Sequence, residues 1–452
     1  MPTPVPADIP ATAPAPVHGS PCPDCGESLT ADPRFTAWCP ACDWNLVPGA
    51  ETATAITRRE RAATVRADRL FQDLTEGEAS ATGRLDWLLA SAVAGLVHLS
   101  TAALFCWGLW LLVTGDTPLR CLGAAVLGLV VLLRPRLGRM PRGESVVDRD
   151  RAPALYGLAD RVAAEVGAEP VDTILVDECF NASYGLLGFR RRSVLTLGLP
   201  LWEALDDQQR IALLGHEFGH RVNGDHRRSL WLHSAITALA AWYGLARPSR
   251  LRHPGSPLLI QFGEMIANVL LKVVAWLLYR GVVLLDRLTS RAGHQAEYRA
   301  DALAARVGGT EAARGMLAAL LLGGSARIAV SRARADGRQR PRGHRRTARA
   351  QGTRAQESHD THEAPAADLF WERLRERLVS VPDTERERLR RCSARERAAV
   401  DTTHPPTHLR LALMDRCGAR PAAVTTTPAE VEAIAAELAP HRARVAAALL
   451  ES

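Results

Sequence analysis

A run of 29 residues without a formal charge, residues 87–115, constrains the fold of this 452-residue chain more than any other feature. A bilayer core of about 30 Å needs about 20 apolar residues in a helix, so the run predicts a membrane-spanning helix. A second apolar run, residues 121–133, follows a short polar break and spans only with a snorkelling Arg120 at its end. The two runs predict a transmembrane helical hairpin over residues 85–133.

Two later apolar runs permit two interpretations. Residues 229–246 carry no formal charge, and residues 258–285 are interrupted by Glu264, Lys272 and Arg280. These three charges are eight residues apart, so they drift by only about 80° per step around a helix. A stripe of this kind, facing a bundle interior or a wet cavity, favours further transmembrane helices. The alternative is a pair of buried helices in a soluble domain, so two to four spans are predicted.

The distribution of arginines predicts the orientation in the cell membrane. Residues 58–84 contain six arginines and residues 134–151 contain six more, whereas the hairpin loop contains only Arg120. The positive-inside rule therefore places both flanks, with the N-terminus and the active site, in the cytoplasm. Residues 247–252 carry three arginines and would lie outside if both later runs span. Either those runs form a re-entrant or interfacial pair, or the rule is overridden there.

Two CxxC pairs near the N-terminus predict a structural zinc site. Cys22 and Cys25 form the first pair, and Cys39 and Cys42 form the second after 13 intervening residues. Each pair brings two thiolates to one metal, and four thiolates complete a closed tetrahedral site without an open position for catalysis. Residues 21–48 hold almost no hydrophobic core, so we expect the metal itself to stabilise this zinc ribbon.

An HExxH motif occupies residues 216–220. A capping box that begins at Asp206 predicts the start of the helix that carries it. His216 and His220 are four residues apart, share one face of that helix and can bind one Zn²⁺. Glu217 then lies beside the metal-activated water as general base, and later as general acid towards the leaving amine.

The third metal ligand has three candidates. His226 follows the motif at nearly the metzincin spacing, with Asn223 where that pattern has its turn glycine. No soluble Met-turn follows, however, because an apolar run begins almost at once. Glu297 completes a His₂Glu set, and Asp301, four residues later on the same helix face, is placed to hydrogen-bond a ligand imidazole. We favour Glu297, followed by His226 and His294.

In the order of its motifs the chain resembles the HtpX-type and CaaX-prenyl-endopeptidase-type membrane metalloproteases, which are gluzincins. The resemblance rests on Asn181-Ala182, residues 194–199, the HExxH helix, residues 297–302, and His404-Pro405-Pro406 with Arg410 six residues after His404. It covers about residues 85–323 and 366–416, and the N-terminal ribbon lies outside it.

The resemblance implies a mainly α fold with a small β-sheet, that is, an α+β gluzincin-type metalloprotease domain combined with transmembrane helices. It also implies that the segment at Asn181 and the strand after it form the edge that pairs with an extended substrate. His404 and Arg410 are expected to line the site and to stabilise the oxyanion of the tetrahedral intermediate. The implied cofactors are two Zn²⁺ ions, one catalytic and one structural.

The sequence thus predicts a membrane-embedded zinc metalloendopeptidase that hydrolyses peptide bonds. Its partners would be a polypeptide substrate, either a membrane protein or a membrane-associated peptide, and the lipid bilayer. Quality control of membrane proteins competes with prenyl-peptide processing as its role. A different class, an inert membrane-tethered zinc-ribbon adaptor, is disfavoured because Glu217 and Glu297 are both retained.

An arginine-rich segment, residues 325–365, interrupts the protease part. Ten arginines and one aspartate lie between residues 327 and 354, and the whole chain has a net charge of +7. Nucleic acid is nevertheless not expected as a partner, because no aromatic side chain is interleaved for base stacking and no binding motif surrounds the run. A disordered, solvated insert that contacts anionic lipid is favoured instead.

The predicted organisation follows from these segments. It comprises a disordered terminus (1–20), the zinc ribbon (21–48), a polar helical linker (51–84), the transmembrane hairpin (85–133), the metalloprotease domain (134–323), the arginine-rich insert (325–365), and the C-terminal helical part of the protease with a tail (366–452). Hydrophobic periodicity further predicts a helix over residues 152–166, strands over 173–176 and 193–197, and a tail helix over 428–450.

Overall fold

The structure, a computed structural model, describes most of the chain. The described residues are 19–29, 32–48, 58–76, 82–133, 140, 143–188, 191–223, 225–247, 258–339, 355–395 and 404–451. The predicted disordered terminus lies almost entirely outside these residues, as does the centre of the arginine-rich segment, residues 340–354.

Helices dominate the described residues, and one small sheet accompanies them. The strands are β1 (Val146–Val147), β2 (Thr173–Asp177), β3 (Ala182–Leu187) and β4 (Arg192–Gly198). The helices are α1 (Arg58–Glu76), α2 (Thr82–Thr114), α3 (Thr117–Leu133), α4 (Pro153–Val166), α5 (Leu199–Ala204), α6 (Asp207–Val222), α7 (Asp225–Ala246), α8 (Leu258–Gly308), α9 (Thr310–Leu320), α10 (Gly323–Gln339), α11 (Ala355–Val379), α12 (Asp383–Arg395), α13 (Thr407–Arg416) and α14 (Pro428–Glu451). The predicted fold class, mainly helical with a small sheet, is confirmed.

The four strands form a mixed sheet with the order β1-β2-β4-β3. β2 and β4 run parallel, with Thr173 opposite Val194, whereas β1 and β3 are antiparallel to their neighbours. Both predicted strands are present as β2 and β4, but β4 lies inside the sheet. The edge strand is β3, which directly follows Asn181. The resemblance implied an edge at this segment, but hydrophobic periodicity located no strand here because Ala182 and Gly185 are weak β-formers.

The main hydrophobic core lies between the sheet and helices α4, α6, α9, α11 and α14. Trp371, Tyr156 and Phe218 are among its largest fully buried side chains. The Tyr156 hydroxyl also ties α4 to the sheet, because it donates to the Val147 carbonyl at 2.9 Å and accepts from the Ile174 N–H at 2.8 Å. This core gives the HExxH helix α6 a rigid support.

A second, smaller cluster joins α2, α7 and α8 into a bundle. Ala90 and Ala94 of α2 pack with Ala235 and Leu239 of α7 and with Leu285 of α8. On their other faces α2, α3 and α8 expose many large apolar side chains. A soluble protein rarely leaves so continuous an apolar surface in water, so this surface indicates contact with lipid.

Two helices are long and apolar enough to cross a membrane, over Leu85–Thr114 and Gly263–Gly308. The apolar pair Thr310–Leu320 and Gly323–Asp336, bent by 55°, would make a third span. Two or three helices can therefore span a membrane, which is consistent with membrane association. The bent pair, however, also buries side chains such as Leu317 in the main core.

The remaining two predicted runs lie on shorter apolar elements. The second arm of the hairpin is the apolar helix Thr117–Leu132, which is shorter than a full span. Residues 229–246 lie on α7, which is not among the candidate spans found in the described residues. The predicted hairpin itself is present, because α2 and α3 are consecutive helices in close contact at Gly108 and Gly123.

Helix α8 runs unbroken for 51 residues from the bundle into the protease core. At 1.5 Å per residue it is about 76 Å long. Two charged residues of the expected stripe do not face the bundle interior. Lys272 and Arg280 are exposed, and the Arg280 guanidinium lies 5.8 Å from the centre of the Trp276 ring. The small, buried Ala275 lies on the bundle side instead. Long cationic side chains can lie outward because their stems cover apolar surface while their heads reach polar surroundings.

The arginine-rich segment begins as an ordered helix, which differs from the expected disordered insert. Residues 323–339 form α10, and Ala326 and Val330 of this helix are buried in the main core. Residues 355–365 belong to α11. The many arginines dominate the composition, but the alanines and valine between them recur at helical spacing and form a buried face.

Candidate active site and metal centres

The four N-terminal cysteines lie together as one group. The Sγ atoms of Cys22 and Cys42 are 3.6 Å apart, and so are those of Cys25 and Cys39. All four Sγ atoms lie within 4.8 Å of one another. Zinc–sulfur bonds of about 2.3 Å in a tetrahedron place sulfur atoms about 3.8 Å apart, so this group fits one zinc ion.

Both knuckles of the ribbon are built in the same way. The Gly26 N–H donates to the Cys22 carbonyl, and the Asp43 N–H donates to the Cys39 carbonyl, each at 2.9 Å. Gly26 and Asp43 have φ values of 76° and 61°, a conformation that glycine and aspartate tolerate. Burial raises the pKa of the Cys39 thiol, but backbone N–H groups, first that of Cys42, outweigh it and lower the pKa to about 7.

The ribbon rests on α12 of the protease part. Asp43 pairs with Arg391 at 2.8 Å. Trp38 and Leu46 pack with Cys392, whose Sγ lies 3.2 Å from the Leu46 carbonyl oxygen. The contact combines exposed ion pairs with a small buried cluster, and it connects the ribbon to the helix that precedes the His404 segment.

The HExxH motif lies on α6, whose start is capped as the sequence predicts. The Asp206 carboxylate accepts the Gln209 N–H, and the Gln209 side chain accepts the Asp206 N–H. His216 and His220 project from one face of α6, with their Nε2 atoms 3.3 Å apart. Glu217 is only 6% exposed and lines the same cleft as His216.

Small residues allow α6 and α8 to approach closely. A Cβ at Gly219 would lie 2.9 Å from the Cα of Ala300, and a Cβ at Gly215 would lie 3.3 Å from the Cα of Ala304. Side chains at these two positions would push the helices apart. The close contact brings Glu297, almost one turn before Ala300, to the two histidines.

Glu297 completes a group of three ligand atoms. Its Oε1 lies 3.5 Å from His220 Nε2, and its Oε2 lies 3.6 Å from His216 Nε2. Metal–ligand bonds of about 2.1 Å in a tetrahedron place the ligand atoms about 3.4 Å apart, so these separations fit zinc. Glu297 Oε2 is also buried without a hydrogen-bond partner in the described part of the chain, and a metal ion would satisfy it.

A buried ion pair lies behind the histidines. Asp301, 1% exposed, places Oδ1 3.0 Å from His216 Nδ1. Arg410 donates to both Asp301 oxygens, at 2.6 and 2.8 Å. Burial raises the pKa of Asp301, but the Arg410 charge outweighs it and holds the pKa of that carboxyl below its usual range. An ionised Asp301 accepts the Nδ1–H of His216, which leaves the Nε2 lone pair directed at the ligand site.

His404 contacts the third ligand from the open side of the site. Its Nδ1 lies 2.7 Å from Glu297 Oε1, and its side chain is 43% exposed. Burial raises the pKa of Glu297, but the His404 hydrogen bond and the charges of His216 and Arg410 lower it to about 2. Glu297 is therefore ionised at neutral pH, as a metal ligand must be.

These groups open into a cleft of about 790 Å³. Asn181 and Ala182, at the start of the edge strand β3, line this cleft together with His216 and Glu217. The first residues of α10 and the end of α9 line it as well. The edge strand and Glu217 therefore open into one cleft.

The structure brings the predicted catalytic-site residues together around this cleft. They are His216, Glu217, His220, Glu297, Asp301, Asn181, His404 and Arg410. The roles assigned to them stay predictions. Among the described residues His294 does not belong to the ligand group, and the side chain of His226 lies outside those residues.

Sequence reasoning missed three features of the site. The first is the glycine pair of α6, whose spacing of four residues was visible within and just before the motif. The second is the ion pair of Arg410 with Asp301, in which the guanidinium that was expected to stabilise the oxyanion already donates to a carboxylate. The third is the wall formed by α9 and α10, which no local motif announces.

A helix with two histidines and a glutamate, a carboxylate from a second helix and a sheet edge beside the cleft define a metallopeptidase. Residues 151–417, more than half of the chain, match the family described as Peptidase family M48. The chain belongs to that family, and the resemblance drawn from its motifs is confirmed. A comparison with curated proteins found no match.

Proposed function

We propose that this chain is an integral-membrane zinc metalloendopeptidase of the cell membrane with its active site on the cytoplasmic face. The observation that carries the proposal is the group formed by His216, His220 and Glu297, whose separations of 3.3 to 3.6 Å fit one tetrahedral zinc ion beside the buried Glu217. The cysteine group of the ribbon would hold a second, structural zinc ion.

Zinc at this site would polarise the scissile carbonyl and lower the pKa of a water molecule. Glu217, which lines the cleft, would accept the proton of the attacking water and deliver it to the leaving amine. The base must remain ionised until the attack, and its burial keeps competing water away from it.

The surrounding residues would orient these groups. Asp301 holds the tautomer and the ring of His216, and Arg410 keeps Asp301 ionised, so both are positioning residues. His404, which is half exposed at the cleft, would donate to the oxyanion of the tetrahedral intermediate. Asn181 would begin the pairing of the substrate with strand β3 by β-addition.

The membrane assignment rests on the apolar surface of α2, α3 and α8 and on the arginine distribution around the hairpin. A polypeptide that is itself membrane-embedded or membrane-associated would reach a site so close to the bilayer. Quality control of membrane proteins is the role we favour, and prenyl-peptide processing is the alternative. An inert adaptor remains the rival function, since the ribbon docks on the protease part through its own contacts.

The metal content of the detergent-purified chain tests this proposal. We expect two zinc ions per chain, with one lost in Glu297→Ala and the other lost in Cys22→Ser/Cys25→Ser. If the Glu297→Ala chain retained two zinc ions, Glu297 would not be a required ligand. The zinc content of His226→Ala would then be measured. A single ion that only the cysteine change removes would favour the adaptor.

A further inference from the structure

Helix α10 forms one wall of the cleft at the proposed active site. Gly323, Arg327, Val330, Ser331 and Arg334 of this helix line the cleft. Their spacing of three and four residues corresponds to one face of an α-helix. The start of the arginine-rich segment is therefore part of the surface that a substrate meets.

This wall is fixed on both sides. A Cβ at Gly323 would lie 3.3 Å from Cδ1 of Phe180, so the start of α10 touches the loop that leads to Asn181 and the edge strand. On its other side Ala326 is buried in the main core. Arg327, about one turn after Gly323 on α10, therefore lines the same cleft as the start of the edge strand.

Arg327 presents an uncompensated positive charge to the cleft. Its side chain is exposed, and its guanidinium forms no ion pair with a residue in the described ranges. The other cleft arginines are already engaged: Arg334 donates to the Leu449 carbonyl, and Arg410 donates to Asp301. Arg327 is thus the cleft arginine that can bind an incoming anionic group.

Apolar side chains line the cleft beside this wall. Leu213, Met316, Leu320 and Val330 line the cleft on α6, α9 and α10. Leu213 lies almost one turn before His216 on α6, so the apolar surface begins next to the proposed ligands. Within the described residues, a bound polypeptide would therefore meet apolar side chains and the guanidinium of Arg327.

We propose that Arg327 determines substrate preference by binding a carboxylate of the polypeptide, so that the preferred substrate combines an apolar residue with a nearby carboxylate. This inference rests on the proposed peptidase function and names the substrate class of the same cleft. The carboxylate can belong to a Glu or Asp side chain or to a free C-terminus, because the same bidentate hydrogen bonds from a guanidinium recognise each.

Glu178 provides the alternative role for Arg327. It lines the cleft and forms no ion pair with Arg327 in the described residues. If Arg327 served only to bind Glu178 and close the cleft, removal of Arg327 would change the affinity for all peptides by the same factor. A preference for one peptide charge over another separates the two roles.

Binding to the full chain in detergent tests the inference without requiring turnover. The Glu217→Gln chain, loaded with zinc, is titrated with fluorescein-labelled apolar peptides that differ only in one group, and anisotropy gives each Kd. The pairs are internal Glu against Gln, and free C-terminal carboxylate against amide. The same titrations are repeated on the Glu217→Gln chain that also carries Arg327→Gln, Arg327→Glu or Arg332→Gln. Arg332 is the control because it is an exposed arginine of α10 that does not line the cleft.

We expect at least one carboxylate peptide to bind about tenfold more tightly than its neutral partner, since a charge-assisted hydrogen bond has about this effect. Arg327→Gln removes that preference, Arg327→Glu makes the carboxylate peptide the weaker binder of its pair, and Arg332→Gln retains the preference. The pair that responds identifies the source of the carboxylate. The inference would be overturned by equal Kd values within both pairs. It would also be overturned if Arg327→Gln raised the Kd of all peptides by the same factor. A wild-type chain that retains the preference but cleaves no peptide would overturn the peptidase proposal alone.

Discussion

The two candidate metal groups of this molecule are built in opposite ways. The four cysteines lie within 21 consecutive residues, residues 22–42, and short turns hold them, with two of the four side chains exposed. The His₂Glu group joins α6 to α8 across 81 positions, and its members are mostly buried in a large core. We therefore expect the first group to depend on a bound metal for its fold, whereas the second takes its geometry from the fold.

The largest effect is expected from Glu217→Gln. This change removes the proposed proton acceptor but no ligand, so peptidase activity should fall by about 10²- to 10⁴-fold with both zinc ions retained. Activity on a labelled polypeptide and zinc content are measured on the same sample. If the variant kept its activity, Glu217 would not be the proton acceptor, and the contrast between a catalytic and a structural group would be lost.

Asp301→Asn should affect one group and leave the other unchanged. The substitution removes the charged acceptor that orients His216 and leaves the buried Arg410 without the carboxylate that accepts its two hydrogen bonds. Zinc affinity of the His₂Glu group should fall by about 10- to 100-fold. Competition with a chromogenic chelator measures it, and the cysteine group provides the internal control. Equal loss from both groups would show general unfolding instead.

Acid should destabilise the buried group through its carboxylates. The pKa of Glu297 lies at about 2 in the folded chain against its usual 4.5, so its contribution is fully present above pH 4.5 and is lost as the pH falls towards 2. The shift corresponds to about 3 kcal/mol of unfolding free energy. Urea unfolding of the metal-free chain between pH 6 and 3 should show this loss, and Glu297→Gln should make the curve flatter. If the free energy of unfolding depended on pH in the same way with and without Glu297→Gln, the prediction would be contradicted.

A methyl group should separate the helices that build the buried group. Gly219→Ala places a Cβ 2.9 Å from the Cα of Ala300, so the chain should lose about 1–2 kcal/mol of stability and some zinc affinity at the His₂Glu group. Gly157→Ala is the matched control, because nothing lies within 4 Å of a Cβ there and alanine favours a helix. Thermal unfolding should therefore shift in opposite directions for the two variants, and shifts of one sign would contradict the packing argument.

The smallest effect is expected where the ribbon meets α12. Asp43→Asn removes the ion pairs with Arg391 and Arg395 while keeping a side chain that tolerates positive φ. Exposed ion pairs contribute about 0–1 kcal/mol, so stability and both zinc ions should change little. Urea unfolding and zinc content check this. Release of the ribbon zinc would show that docking, and not only the metal, supports the ribbon fold.

The same contrast explains what the sequence could predict. Spacing alone located Cys22 and Cys39 with their partners and the two HExxH histidines, because each knuckle or helix turn brings such residues together locally. The choice of Glu297 over His226 rested on the absence of a soluble Met-turn and on Asp301 four residues after Glu297, because a contact between distant helices leaves no local pattern of its own.

The parts that were not predicted depend on tertiary contacts. Strand β3 has weak β-formers and gains its place by pairing with β4. Helix α10 has an arginine-rich composition, and only packing against the core shows its buried face. Arg410 was expected at the substrate, but a carboxylate 109 positions away holds it.

Helix α8 extends without a break from the apolar surface of the bundle to Glu297. Bilayers of different hydrophobic thickness change the tilt of an apolar helix. A tilt of about 5° near residue 285 would carry a point about 18 Å further along a rigid helix through about 1.5 Å. In a bilayer that α8 crosses, the contact of α6 with α8 would oppose that displacement, and lipid thickness would be mechanically connected to the spacing of the ligand atoms. The thickness of the host membrane would then be a physical variable of this enzyme, alongside pH and metal supply.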